Sequence, residues 1–235
     1  MKIGIMQPYF FPYLGYWQIM NMVDKYIIYD NIQYTKKGWF NRNRFLQNGH
    51  DELFSINIEK ASDFLDVRDR NISPVFDRKK LLEQFRNAYR KAPYFAKNFP
   101  IIEQIVMCPE NNLFKYLFNS IQTMHDVLGM KTQLIISSDV DIDHSKKASE
   151  KVKALVLAVG GTEYINPVGG MDLYKYDDFK NAGIDLKFHK ISDVTYKQFN
   201  NAFIPCLSIV DVLMFNSIQD VKQMLNAYTI IQEGR

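Results

Sequence analysis

The stretch Lys2–Phe45, KIGIMQPYFFPYLGYWQIMNMVDKYIIYDNIQYTKKGWFNRNRF, decides how the rest of the chain is read. Ile3, Ile5 and Met6 form a short apolar run that ends at Gln7-Pro8, which predicts a buried parallel strand at the chain start. Pro12 and Gly15 lead into a helix expected from about Leu14 to Val23, and a second apolar run, Tyr26 to Tyr29, ends at Asp30. Strand, loop, helix, strand is the βαβ unit. Loops at the carboxyl ends of its strands line the ligand crevice. Gln7, the Pro8–Pro12 loop, the start of the helix and Asp30 are therefore expected around one cleft, together with the polar segment that follows.

That segment gathers Trp39, Asn41, Arg42, Asn43 and Arg44. Guanidinium forks bind phosphate or carboxylate in a bidentate way, amides both donate and accept, and an indole offers a stacking face. A loop that merely connects strands favours Gly, Ser, Asp and Lys. The plain alternative is a surface hairpin with solvated charges. Placed just beyond the second strand of a βαβ unit, the cluster reads as a binding loop.

With 235 residues, 47% hydrophobic and 23% charged, the chain has the composition of an ordinary globular protein with a full core. A net charge of +3, with Lys and Arg scattered, suits an anionic small molecule and is too weak for nucleic acid. Cys108 and Cys206 are far apart and lack partners at ligand spacing, so buried reduced thiols and no metal site are expected. The chain start does not resemble a signal peptide and no apolar run approaches a membrane span, which makes the cytoplasm the expected location.

After the NRNR segment, Asn48-Gly49 is a hairpin signal, and Leu53 to Ile58 reads as a strand returning to the sheet. Residues 60–75 read as a loop whose Asp66, Arg68, Asp69 and Arg70 face water. Helices follow from about Arg78 to Lys91, Phe95 to Cys108, and Asn111 or Asn112 to Leu128. Residues 76–130 thus form a helical insertion or subdomain, where a buried, satisfied His125 is expected. The α/β alternation resumes with a strand at Gln133–Ser137, a helix at Lys146–Val159, a strand at Glu163–Asn166, a helix from Asp172 to about Asn181 and a strand through Ile184, Leu186 and Phe188. Residues 191–201 read as loop, and the end from Pro205 as mainly helical. The expected fold is α/β, a single domain over 1–235, with a mostly parallel sheet and helices on both faces. Its rim would carry Gln7, Asp30, Ser137-Ser138, Asn166 with Gly169-Gly170, and His189.

Asn166-Pro167-Val168-Gly169-Gly170 either cradles an anion with its backbone amides or is a turn that needs positive φ. Tyr196, Gln198 and Phe203–Pro205 form a second aromatic and amide patch, and Asp211 is either a helix N-terminal charge or a buried acid facing the cleft. No GxSxG, HExxH or CxxC occurs.

QPYFFPYLGYWQIM, DKYIIYDNIQYTKKGWFNRNRF, YINPVGG with Leu173-Tyr174, FKNAGIDLKF and YKQF…FIPCLSIVDVLMFN, in this order along nearly the whole chain, resemble the WbqC-like proteins. Members are encoded with O-antigen and other surface-polysaccharide genes, and the resemblance implies a part in building an unusual sugar. The family pattern marks Gln7, Pro8, Pro12, Gly15, Asp30, Trp39, Asn41, Arg42, Asn43, Asn166, Gly169, Gly170, Tyr196 and Asp211. A looser similarity, strand, Pro-containing loop, FPYLGY and DKYIIYD, is to HIGH-type nucleotidylyltransferases and pantothenate synthetase, and implies a Rossmann-like, HIGH-nucleotidylyltransferase-like sheet. Tyr13 and Tyr16 stand where those proteins carry triphosphate-binding histidines, which argues against adenylyl transfer.

These readings converge on an enzyme that forms an amide on a UDP- or dTDP-linked amino sugar, from an acyl or aminoacyl donor that is ATP-derived in one version. Arg42 and Arg44 would hold pyrophosphate, Trp39 or Tyr34 would stack on a ring, and Asp30, then Asp211, then His189 would serve as base. The Gly169-Gly170 amides would face an oxyanion. Mg²⁺-dependent nucleotidylyl transfer and non-catalytic binding of a sugar nucleotide are the alternatives.

Overall fold

In the computed structural model, which describes residues 1–232, the chain runs β1 (Lys2–Met6), α1 (Leu14–Met22), β2 (Lys25–Ile28), the hairpin β3 (Arg42–Gln47) and β4 (His50–Ser55), then α2 (Arg78–Tyr89), α3 (Phe95–Val106) and α4 (Leu113–Val127). It continues with β5 (Gln133–Ile136), α5 (Ala148–Ala158), β6 (Glu163–Pro167), α6 (Tyr176–Lys180), β7 (Asp185–Ile191), α7 (Ile209–Phe215), α8 (Ile218–Met224) and β8 (Tyr228–Ile231). The sheet order is β5-β2-β1-β6-β7-β8. All neighbours are parallel except β8, which is antiparallel to β7. The chain steps outward from β1 through β2 to β5, then returns to lay β6 on the free side of β1. The strand order therefore reverses between β1 and β6, which makes a topological switch point.

β1 is central because both of its faces are apolar. Ile3 and Ile5 pack with Ile27, Val152, Leu155, Val156 and Phe179 under α5 and α6. The opposite face lies against α1, and a Cβ on Gly4 would meet the Tyr26 ring at 3.0 Å and Ile19 at 3.2 Å, so glycine lets the helix approach. Trp17, Ile19 and Met20 of α1 join Val210 and Leu213 of α7 and Phe85, Tyr116 and Ile121 of the 76–130 segment in one continuous cluster. Helices thus cover both faces of a mostly parallel sheet. Each of the large side chains in these clusters contributes roughly 1.5–3 kcal/mol of burial.

The hairpin corrects two expectations. Arg42 to Gln47 is a strand and not a loop, and β4 pairs only with β3, outside the main sheet. Asn48 (φ 52°) and Gly49 (φ 81°) make the tight turn that Asn-Gly favours. The hairpin is tied to the rest by Phe10 N–H donating to Phe40 O (3.0 Å) and Ser208 N–H donating to Arg44 O (2.9 Å). Near the end, β8 appears where helix was expected, because Tyr228, Thr229, Ile230 and Ile231 are strand formers that close the sheet edge. Only α6 is regular in the segment expected to be one helix from Asp172 to Asn181, since Val168–Leu173 is a 3-10 turn. Cys206 is exposed and not buried. No helix among the described residues is long and apolar enough to cross a membrane.

Candidate functional site

The carboxyl ends of β1 and β6 open into a cavity of about 940 Å³ at the switch point. Gln7 follows β1, Asn166 and Gly169-Gly170 come from the end of β6 and its 3-10 turn, and Tyr29 and Asn31 extend β2. Tyr9, Tyr29, Tyr164 and Tyr174 supply aromatic walls. Arg68, Lys146, Lys147, Lys151 and the first turn of α5 make the wall basic, and Asp66 is the one carboxylate among the described lining residues. Peptide dipoles at the start of α5 add to that field. No side chain caps the amino end of α5, and Ala148 enters it at φ 48°, a strained conformation for a residue with a Cβ.

Lys151 is buried, with 6% of its surface exposed. Its Nζ donates to Asn31 O at 3.2 Å and lies 5.0 Å from the centre of the Tyr29 ring. Burial depresses the ammonium pKa, and Asp66 and Asp30 partly restore it. Burial also raises the Asp66 carboxyl, opposed by Arg68. An amine and an acid brought toward each other in this way are the usual raw material of proton transfer. The Asn31 side chain is held from two sides, and its partner His144 is itself anchored. Ser137 Oγ donates to its Oδ1 (2.8 Å), its Nδ2 donates to His144 Nδ1 (2.9 Å), and His144 Nε2 donates to Val140 O (3.0 Å). His144 is thereby fixed with its proton on Nε2.

Gly169 and Gly170 are not at positive φ. At Gly170 the reason for glycine is space, since a Cβ there would come within 2.2 Å of Asn166 Nδ2, while at Gly169 it would meet nothing within 4 Å. Tyr164 Oη donates to Asn166 Oδ1 at 3.1 Å, which turns the amide nitrogen toward Gly170. The hydroxyls of Tyr9 and Tyr29 are pushed up to about 12, mainly by burial, so both stay protonated donors at neutral pH.

The expected meeting of Gln7, Asp30 and the two arginines does not form. Gln7, Asn166, Gly169 and Gly170 line the cavity, but Arg42 and Arg44 do not. Arg42 donates from Nε to Gly38 O (3.0 Å) and also to Lys37 O, and Arg44 pairs with Asp51 (3.0 Å). Both guanidinium groups lie over the Trp39 ring, at 5.6 and 6.0 Å. Asp30 turns to the other side of the β2 extension and accepts from Ser138 N–H (2.9 Å) and Oγ (2.6 Å). Asp211 is fully buried, accepts from Tyr89 (2.9 Å), Tyr196 (2.7 Å) and Gln198 (2.7 Å), and does not line the cavity. His189 is buried near the carboxyl end of β7 and donates from Nε2 to Gln18 Oε1 at 2.9 Å, because both amide hydrogens of Gln18 go to backbone carbonyls.

The remaining expected contacts hold the scaffold. Asn43 Nδ2 donates to Phe10 O and Phe11 O, which steadies a loop where Phe11 sits at φ 44°. Tyr34 donates to Asn41 Oδ1 (2.9 Å), Asn41 Nδ2 to Ile56 O (2.8 Å), and Tyr16 to Gln7 O (3.2 Å). Tyr13 packs over Gly15 and pairs through its backbone with Ser208. Lys146, Lys147, Lys151, Arg68, Asp66 and His144, with Tyr9, Tyr29, Asn31 and Tyr164, are among the cavity residues that the sequence reading missed. Arg68 and Asp66 were expected to face water, and the lysines fall in the expected helix at Lys146–Val159, which was given no part in the site. Among the described residues no cluster of His, Cys, Asp and Glu has the arrangement of a metal site.

The chain is similar over 221 residues, at 27% identity, to the uncharacterized protein Rv1507c of Mycobacterium tuberculosis, a match that covers 92% of this chain and 93% of the relative. No solved structure matches it at a significant level. The family model described as the WbqC-like protein family matches residues 7–223, which takes in the parallel strands β2, β5, β6 and β7 and every cavity-lining residue except Ile5 and Met6. The chain belongs to the WbqC-like protein family.

Proposed function

We propose that this protein is a cytoplasmic enzyme of surface-polysaccharide (O-antigen) sugar biosynthesis that transfers an acyl or aminoacyl group to the amino group of a UDP- or dTDP-linked sugar. The observation that carries this reading is the cavity at the β1/β6 switch point, where four cationic side chains and a helix start share one hollow with tyrosines, amides and one partly buried carboxylate. Lys146, Lys147, Lys151 and Arg68 match a diphosphate. The tyrosine rings suit a sugar or base face, and Gln7 and Asn166 suit hydroxyls.

In this reading Asp66 replaces Asp30, Asp211 and His189 as the base. The sugar amine attacks the acyl carbon of an activated donor, so a C–N bond forms and the bond to the leaving group breaks. The amine proton passes to Asp66, and the leaving group departs with the bonding electrons. An acid of raised pKa is the better acceptor for that proton at neutral pH. The strand order also fits a Rossmann-like frame and supports a second reading, Mg²⁺-dependent nucleotidylyl transfer with a triphosphate on the same basic wall. Mass spectrometry of reactions containing UDP- or dTDP-amino sugars tests the choice. A mass gain equal to the acyl group supports amide formation. Magnesium-dependent release of pyrophosphate supports the second reading, and neither product, with tight binding retained, leaves a binding protein.

A further inference from the structure

Side chains alternate in direction along the extension of β2. Tyr29 and Asn31 enter the large cavity, and Asp30 between them enters a second, smaller one of about 330 Å³ over the ends of β2 and β5. Arg68 lines both. Its backbone is fixed from two directions, by its own N–H donating to Asp30 O (3.3 Å) and by Asn112 Nδ2 donating to its carbonyl (2.7 Å). Its guanidinium is loosely held, with Nε 3.8 Å from Asp69 and nearly half of the side chain exposed.

The small chamber carries three kinds of chemistry at separate places. Asp30, 1% exposed, offers a carboxylate whose oxygens each accept one hydrogen bond from Ser138 and each keep a lone pair. Arg68 and Lys115 offer cations, and Phe114, Phe118 and Ile136 offer an apolar lining. An acid that only pinned the Ser137–Asp139 turn would need none of the facing cations or rings.

We propose that this chamber is an amino-acid subsite, with Asp30 receiving the α-ammonium, Arg68 and Lys115 the carboxyl end, and the phenylalanines a small to medium apolar side chain. The inference rests on the reading of the large cavity as a nucleotide-sugar site, and it narrows the donor to an aminoacyl group. Arg68, shared by both chambers, would bring the donor's carboxyl carbon to the side facing the sugar amine.

The test is titration calorimetry of the full chain with L-leucine, L-alanine and glycine, each alone, and with isocaproate, which is leucine without its amino group. At least one amino acid should bind with a Kd near or below about 1 mM, and isocaproate at least about tenfold more weakly than leucine, because it leaves Asp30 unpaired. Lys115→Ala, at an exposed position, and Phe118→Trp, which fills the chamber, should each weaken amino-acid binding and leave the affinity for UDP- or dTDP-sugars unchanged. Failure of every amino acid to bind, or equal binding of leucine and isocaproate, overturns the subsite. Retained nucleotide-sugar binding in that case confines the failure to the small chamber, and its loss extends the failure to the large one.

Discussion

Arg42 and Lys151 carry the same charge and meet opposite fates. Arg42 donates to the carbonyls of Gly38 and Lys37 and lies over Trp39, so its guanidinium closes the turn that precedes its own strand. Lys151 has a single oxygen acceptor, the carbonyl of Asn31, and stands in the wall of the cavity. The hairpin is the louder of the two regions in residue type, and the start of α5 is the quieter. What separates them is whether the surrounding backbone already satisfies the charge. A cation whose hydrogen bonds are made locally is scaffold, and one left under-coordinated in a concave wall is available to an anion.

Variants can break that comparison at several depths. The largest effect is expected at Asp66, where Asp66→Asn should lower kcat by about 10²–10⁴-fold with nucleotide-sugar affinity retained, the range for loss of a general base. A rate unchanged in steady-state assays removes Asp66 from the chemistry. Asp211→Ala acts on the scaffold. It strands the donors of Tyr89, Tyr196 and Gln198 in the core, and denaturant unfolding should show a loss of about 3 kcal/mol or more. A stable variant would mean that water or another acceptor replaces the carboxylate.

His189 sets a pH dependence. Burial lowers its folded-state pKa from 6.5 to about 4, so the fold favours the neutral ring. That contribution is complete above about pH 6.5 and fades as pH falls through 4, amounting to about 2 kcal/mol already lost at pH 5. Unfolding curves at pH 7 and pH 5 should differ by this much in the parent chain and by less in His189→Gln. Equal slopes would show that His189 is not the titrating group. The smallest effect separates two neighbouring glycines. Gly170→Ala must displace Asn166 from its Tyr164 contact and should weaken ligand binding by about 1 kcal/mol, whereas Gly169→Ala meets open space and should be neutral.

The framework was legible where periodicity and turn chemistry act locally. The runs Ile3–Met6 and Tyr26–Ile28 became β1 and β2, and Asn48-Gly49 became a tight turn. The rule that strand ends form the crevice led to Gln7, Asn166 and Gly169-Gly170. It was one residue out at β2, because Tyr29 and Asn31 face the cavity and Asp30 between them faces away. β3 was read as loop because Arg42-Asn43-Arg44 lacks apolar alternation, although Asn43 points inward to bond the Phe10–Phe11 backbone. Lys151 was invisible for a different reason. A lysine in an amphipathic helix normally faces water, and its burial depends on Asn31 and Tyr29, which arrive from 120 residues away along the chain. Arg68 and Asp66 were hidden in a loop with no periodic signal, which β2 and α4 carry to the rim.

The account depends most on which basic region meets the ligand, and titration calorimetry with UDP- and dTDP-sugars decides it. Lys151→Ala should weaken binding by about 1.5–3 kcal/mol, the range for a charge-assisted bond, while Arg42→Ala should change it by less than about 0.5 kcal/mol. The reverse pattern, with Arg42→Ala weakening binding and Lys151→Ala leaving it unchanged, would move the site to the hairpin and contradict the assignment of the cavity.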